Sequence, residues 1–203
     1  MVERQLRRRG IRDERVLAAV GHVPRELFVP EEERWRAYDD AALPIGFGQT
    51  ISQPYMVALI CELLALRGGE RVLDVGTGSG YQAAVLAELA ADVVTIERVP
   101  ELAERAAAAL ASAGYGRVDV RVGDGTLGVP DRAPYAGIAV AAAAPGVPEA
   151  LYAQLEPGGR LVLPIGSRLQ QLELVVRTPG GPVVRRSVPC RFVPLVGEEG
   201  FRA

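Results

Sequence analysis

The segment Arg71-Val-Leu-Asp-Val-Gly-Thr-Gly-Ser-Gly-Tyr-Gln-Ala-Ala84 constrains the chain more than any other. Arg71 to Val75 is a short apolar run closed by an acid, the pattern of a strand buried on both faces. Gly76, Gly78 and Gly80 then make a tight turn, and the alanine-rich stretch from Ser79 to Leu89 reads as a helix. Such a turn lets a ligand approach the backbone and presents free N–H groups at a helix start. Dinucleotide folds use G-x-G-x-x-G, whose third glycine would fall at Tyr81. This chain has G-x-G-x-G instead.

The rest of the chain supplies strands and helices in alternation. Asp92–Glu97, Val118–Val122, Tyr135–Ala142 and Arg160–Pro164 read as strands. Pro100–Ala113 and Val147–Leu155 read as helices, and Pro157-Gly158-Gly159 as a turn into the last of those strands. Gln171–Thr178 and Pro182–Val188 are expected to pair across Gly180-Gly181 as a hairpin, followed by an extended Arg191–Val196. The predicted class is α/β: a doubly wound, mostly parallel sheet of Rossmann-like type with an antiparallel C-terminal end.

Upstream, Met1 to about Gly21 reads as helical, with Asp13 capping the stretch that starts at Glu14. Pro24–Phe28 and Pro30–Trp35 read as short turns or helices. Leu43–Pro54 is too rich in proline and glycine for a regular helix, and Tyr55–Leu66 is a strongly apolar helix capped by Ser52 or Gln53 and ended by Gly68-Gly69. The expected organisation is one domain over 1–203, with a helical appendage over 1–42 and an α/β core over 43–203.

Composition narrows the partners. The 203 residues carry 23 basic and 25 acidic side chains, a net charge of −2. That balance lacks a nucleic-acid footprint. The dense basic run Arg4, Arg7, Arg8, Arg9 and Arg12 is interleaved with apolar residues, as on a solvated helix face. No stretch is apolar enough to span a bilayer, and the polar start has no secretory h-region. Cys61 and Cys190 stand in no metal or redox spacing. We therefore expect a cytoplasmic, monomeric protein with no metal, no nucleic-acid partner and no membrane partner. All 23 basic residues are arginine, which excludes lysine chemistry, and there is no asparagine.

In sheets of this class the ligand lies at the carboxyl ends of the strands, at the topological switch point. Asp74, Glu97 and Asp124 fall at or near such ends. Glu97, 21 residues after Gly76, suits a carboxylate that accepts the hydroxyls of a ribose. Asp124 suits either an adenine amino group, with Gly125 leaving room for the ring, or an Asp-Gly turn. Asp74 is apolar-flanked and expected to be buried, either orienting the glycine turn or meeting the ligand itself.

The G-x-G-x-G turn resembles the first motif of S-adenosylmethionine (AdoMet) methyltransferases. A closer resemblance rests on Gly46-Phe-Gly-Gln-Thr-Ile-Ser-Gln-Pro54, Val72–Ala84, Gly123-Asp-Gly125, Ala133-Pro-Tyr135, Ala142-Ala-Ala-Pro145, Gln154–Gly166 and Phe192-Val-Pro-Leu195. These are similar to the signatures of protein-L-isoaspartate O-methyltransferases, from about Leu6 to Val196. Gln49-Thr-Ile-Ser52 is the part specific to that family.

The resemblance implies methyl transfer from AdoMet to the free α-carboxylate of L-isoaspartyl residues in damaged proteins, with S-adenosyl-L-homocysteine as the other product. The ester then cyclises to a succinimide, which hydrolyses partly to aspartate. The resemblance further implies AdoMet binding by Gln49, Thr50, Ile51, Asp74, Gly76, Thr77, Gly78, Gly80, Glu97, Asp124 and Gly125. Ser52 is implied as the active-site residue, and Ile51, Ser52 and Val196 as substrate contacts. A helix cap is the competing role for Ser52. The family usually has Asp at the position of Ala136 and often Thr at that of Ala141, which puts the start of the fourth strand and part of the substrate pocket in question. A carboxylate nucleophile is already ionised at neutral pH and needs no base, and the only histidine, His22, sits in the appendage. Two other readings stay open here: an AdoMet enzyme acting on another carboxylate or small molecule, and a non-catalytic AdoMet-binding protein.

Overall fold

The computed structural model describes residues 1–202. The N-terminal segment is not one helix. A π turn over Val2–Leu6 and a 3-10 turn over Arg7–Arg9 stop at Gly10, whose φ of 103° takes the chain out of the helical region. α1 follows at Glu14–His22, with the Asp13 carboxylate accepting from the N–H groups of Arg15 and Val16 as expected of a cap. The segment is not peripheral, since Leu6, Ile11, Val16, Leu17 and Val20 are buried in the same cluster as the residues of the next two helices.

Two 3-10 turns, Arg25–Phe28 and Glu31–Arg36, lead to an antiparallel hairpin of β1 (Leu43–Gly46) and β2 (Gln49–Ile51). Its tip runs through three consecutive left-handed residues, Gly46, Phe47 and Gly48. α2 spans Pro54–Leu64. Its N-cap is Gln53, without a side-chain cap bond, so Ser52 does not cap it. It ends earlier than the glycine pair suggests: Ala65 turns left-handed, and the Glu70 carboxylate then takes the N–H groups of Arg67 and Gly68.

Then come β3 (Arg71–Val75), α3 (Tyr81–Leu89), β4 (Asp92–Glu97), α4 (Pro100–Ser112), β5 (Asp119–Val122), β6 (Tyr135–Val140), α5 (Glu149–Ala153), β7 (Leu155–Ile165), β8 (Gln170–Thr178) and β9 (Gly181–Cys190). The seven-stranded sheet has the order β5-β4-β3-β6-β7-β8-β9. It is parallel through β7, and β8 and β9 add antiparallel. The Pro157-Gly-Gly159 turn is absorbed into β7 as a bulge, because Tyr135 pairs with Leu155 but Gly137 with Arg160. Ala136 lies within that irregularity, and β6 nevertheless begins at Tyr135.

Alternation along the strands divides the core. Val72, Val93, Ala139 and Val162 pack with α1 to α4 on one face. Leu73, Val94, Ile138 and Leu161 pack with Leu151 of α5 on the other. Chain order reverses between β3 and β6, which places a crevice at the carboxyl ends of β3, β4 and β6. No helix among the described residues is long and apolar enough to cross a membrane.

Candidate active site

The crevice at the switch point forms a cleft lined by the glycine turn. The glycine turn forms its floor, with φ of 90°, 53° and 89° at Gly76, Gly78 and Gly80. These are left-handed values that β-carbon residues resist. Gly76, Thr77 and Gly78 line the cleft; Gly80 does not, because it faces Leu110 and Ala106 of α4. Across the cleft run Gln49, Thr50, Ile51 and Ser52 of the hairpin and its exit, together with Val193 to Val196 of the C-terminal segment. Glu97, Ile96, Arg98 and Gly125 close one end.

Glu97 is 6% exposed. Its Oε2 accepts from the N–H of Gly78 at 2.9 Å and its Oε1 from that of Val99 at 3.0 Å. The carboxylate thus fixes the glycine turn and keeps one lone pair on each oxygen for a ligand. Gly125 is required by the wall behind it: a β-carbon there would lie 2.7 Å from Val75 Cγ1.

Two acids lie elsewhere than the sequence suggests. Asp124 does not line the cleft. Its Oδ1 accepts from the N–H and hydroxyl of Thr126, and its Oδ2 from the N–H of Glu198. These donors hold its carboxyl below the ordinary value against the opposing effect of burial. The carboxylate therefore caps the short turn after β5 and anchors the C-terminal segment, the Asp-Gly turn role. Asp74 is fully buried beneath the floor and does not line the cleft either. It accepts from Gln82 Nε2 at 2.8 Å and from Thr95 Oγ1 at 2.8 Å, and Thr95 Oγ1 lies 2.6 Å from Thr77 Oγ1. Asp74 thus orients the glycine turn through Thr95 and Thr77.

Burial raises the Asp74 carboxyl to about 6; the Gln82 and Thr95 donors oppose this and the nearby Glu97 charge adds to it. The Cys61 thiol on α2 also feels the Asp74 charge and, fully buried, is pushed far up and stays neutral. A carboxyl whose folded pKa exceeds its unfolded value of about 3.9 contributes stability that is complete below that value and is lost as pH rises through about 6. Wild-type protein should therefore lose stability, relative to Asp74→Asn, between pH ~4 and ~6, by at most about 3 kcal/mol for a shift of roughly two units. Urea unfolding of both proteins across that range checks it; a pH-independent difference would contradict it.

Ser52 stands where two depressions meet. Thr50, Ser52, Ala141 and Val193 line both this cleft and a second, open depression bounded by Arg9, Asp40, Tyr55 and Val188 to Phe192. Arg25 holds this junction. It is fully buried, donates through Nε to the Ala37 carbonyl and through NH2 to the Ser52 carbonyl, each at 2.8 Å, and stacks 4.7 Å from the Tyr81 ring centroid. Burial pulls its guanidinium down to about 10, still charged at neutral pH. In the sequence Arg25 looks like one more surface arginine, and nothing local marks it as part of the site. Tyr81, Gln82 and Arg98, also not expected at the site, line the cleft. The signal for the first two was available, because they are the first residues of the helix that follows the glycine turn.

A left-handed glycine floor, a buried carboxylate and a serine at the junction with a second depression suit a nucleoside ligand. Comparison with known proteins agrees. The family model for protein-L-isoaspartate(D-aspartate) O-methyltransferases matches residues 1–200. The chain is 57% identical over 204 residues to protein-L-isoaspartate O-methyltransferase 2 of Marinobacter nauticus, covering 99% of this chain and 93% of the relative. It is 54% identical over 215 residues to the protein-L-isoaspartate O-methyltransferase of Hyperthermus butylicus, covering 100% and 89%. Among solved structures, a protein-L-isoaspartate O-methyltransferase superimposes with a TM-score of 0.89 at 32% identity, over 98% of this chain and 67% of the other. A Plasmodium falciparum structure described as the same type of enzyme, in complex with S-adenosyl-L-homocysteine, gives 0.84 at 26% identity and 96% coverage of both chains.

Proposed function

Since the chain belongs to the protein-L-isoaspartate(D-aspartate) O-methyltransferase family, we propose that it transfers a methyl group from AdoMet to the α-carboxylate of L-isoaspartyl residues in proteins. The observation that carries the proposal is the position of Gln49-Thr-Ile-Ser52 over the glycine floor, with Ser52 at the mouth of the second depression.

The residues present fit AdoMet. Glu97 offers two acceptor positions for ribose hydroxyls, Gly76, Thr77 and Gly78 allow close backbone approach, and Gln49, Thr50 and Ile51 cover the cleft from the hairpin side. When bound, AdoMet supplies an electrophilic methyl group and leaves as S-adenosyl-L-homocysteine. The protein's task is then alignment: the substrate carboxylate must be held in line with the methyl group at contact distance. Transfer neutralises two opposite charges, so a site shielded from water favours it. Ser52 donates a hydrogen bond to the carboxylate and fixes its rotation, with Ile51 and Val196 packing on the substrate. Ala141, in the wall of both depressions, leaves space there.

Ser52→Ala should lower kcat by roughly 10- to 100-fold, the worth of one hydrogen bond to a charged group, and leave AdoMet affinity within about twofold, since Ser52 is not the cap of α2. Rapid kinetics with calorimetry reads both. Equal losses in kcat and affinity would remove Ser52 from the role. The same reading makes 1–203 a single methyltransferase domain that acts as a cytoplasmic monomer on protein, with neither nucleic acid nor membrane as partner. Incubating an isoaspartyl peptide with enzyme and AdoMet should yield a methyl ester, then a succinimide, then a mixture containing the aspartyl peptide, as followed by mass spectrometry and chromatography. An unchanged peptide would refute the proposal.

A further inference from the structure

Gln82 lies on the first turn of α3, is 6% exposed and lines the cleft. Its Nε2 donates to Asp74, but its buried Oε1 has no hydrogen-bond partner among the described residues. A buried acceptor left unpaired costs about 1–3 kcal/mol, and in native structures such an atom calls for an explanation.

The hydrogen-bond directions fix which end of the amide is free. The single hydroxyl proton of Thr95 goes to Asp74 Oδ2, so in the contact between Thr77 and Thr95 the donor is Thr77. Asp74 therefore draws every neighbouring donor toward itself: Thr77 to Thr95, Thr95 to Asp74, Gln82 Nε2 to Asp74. Turning the Gln82 amide over would set its oxygen against a carboxylate oxygen. The amide is locked with Oε1 as its free end, and a buried negative charge lies behind it. Such an acceptor suits a cationic N–H donor.

The first turn of α3 is tied to the Ser52 end of the cleft, because the Arg25 guanidinium that holds the Ser52 carbonyl also stacks on Tyr81. Resting on the reading that the cleft binds AdoMet with its reacting methyl near Ser52, we propose that Gln82 Oε1 accepts a hydrogen bond from the α-ammonium of the methionine moiety, with Asp74 as a positioning residue that holds the amide in that orientation. The sulfonium carries no N–H, so the ammonium is the cation this acceptor can pair. Gln82 thus distinguishes a ligand with an aminoacyl group from one that is only a thioether nucleoside.

The test is calorimetric titration of wild type and Gln82→Met with S-adenosyl-L-homocysteine and with 5′-methylthioadenosine, which keeps the nucleoside and sulfur but lacks the amino acid. The expected result is a roughly 10- to 100-fold loss for S-adenosyl-L-homocysteine, the worth of one charged hydrogen bond, with methylthioadenosine affinity within about twofold. Asp74→Leu supplies a second readout. It removes the acceptor that fixes Gln82 Nε2, so the amide is free to turn and the loss should again fall on S-adenosyl-L-homocysteine more than on methylthioadenosine. Equal loss for both ligands in either variant, or unchanged S-adenosyl-L-homocysteine affinity in Gln82→Met, would overturn the assignment. Failure of the wild type to bind S-adenosyl-L-homocysteine would instead overturn the cofactor reading beneath it.

Discussion

Replacing Glu97 with alanine is expected to weaken AdoMet binding by between a few-fold and a hundredfold, about 1–3 kcal/mol for the loss of a charged acceptor. Two effects add. The proposed ribose contacts disappear, and the N–H groups of Gly78 and Val99 lose the carboxylate that now takes both. The second effect loosens the glycine floor itself, so Glu97→Ala should lose more than Glu97→Gln, which keeps one acceptor oxygen. Calorimetry with AdoMet measures both variants. Unchanged affinity in Glu97→Ala would remove Glu97 from the binding site.

Arg25→Met should lower kcat by about 100-fold, the scale associated with displacing a reacting group by roughly 1 Å, while S-adenosyl-L-homocysteine affinity changes by less than about fivefold. Methionine keeps an apolar stem against Tyr81 but cannot hold the carbonyls of Ala37 and Ser52, so the Ser52 backbone is freed. Stability should move much less than the burial of Arg25 suggests. Two charge-assisted hydrogen bonds are lost, at about 1.5–3 kcal/mol each. Against this, a buried guanidinium that makes no ion pair among the described residues is removed, and desolvating such a cation costs several kcal/mol. The two largely offset. A kcat equal to wild type, or a fall in binding and melting temperature matching the fall in kcat, would show that Arg25 is only structural.

These two residues mark how far the sequence is legible. Glu97 can be read in advance because the distance from the glycine turn to the end of the next strand is set by the length of one helix and one strand, both strongly patterned. Arg25 cannot, because its partners are the carbonyls of Ala37 and Ser52, 12 and 27 residues away, and no local pattern announces a tertiary bond to a backbone oxygen. The sheet emerges from alternation of strand and helix signals, whereas the hairpin of β1 and β2 does not: it turns on three left-handed residues, one of them Phe47, which no turn preference suggests. Asp124 follows the same rule. Its place at a strand end is visible in the sequence, but the donors that claim it include Glu198, 74 residues on. Position along the chain predicts where an acid will stand, and tertiary hydrogen bonds decide whether it faces the ligand.

Methyl transfer to the isoaspartyl carboxylate can be followed by initial rates of label transfer from methyl-labelled AdoMet to two peptides that differ only in containing L-isoaspartate or L-aspartate at one position. The isoaspartyl peptide should gain a base-labile methyl ester and its aspartyl counterpart none above background. Equal labelling of the two, or none on either while S-adenosyl-L-homocysteine still binds, would contradict the proposed function.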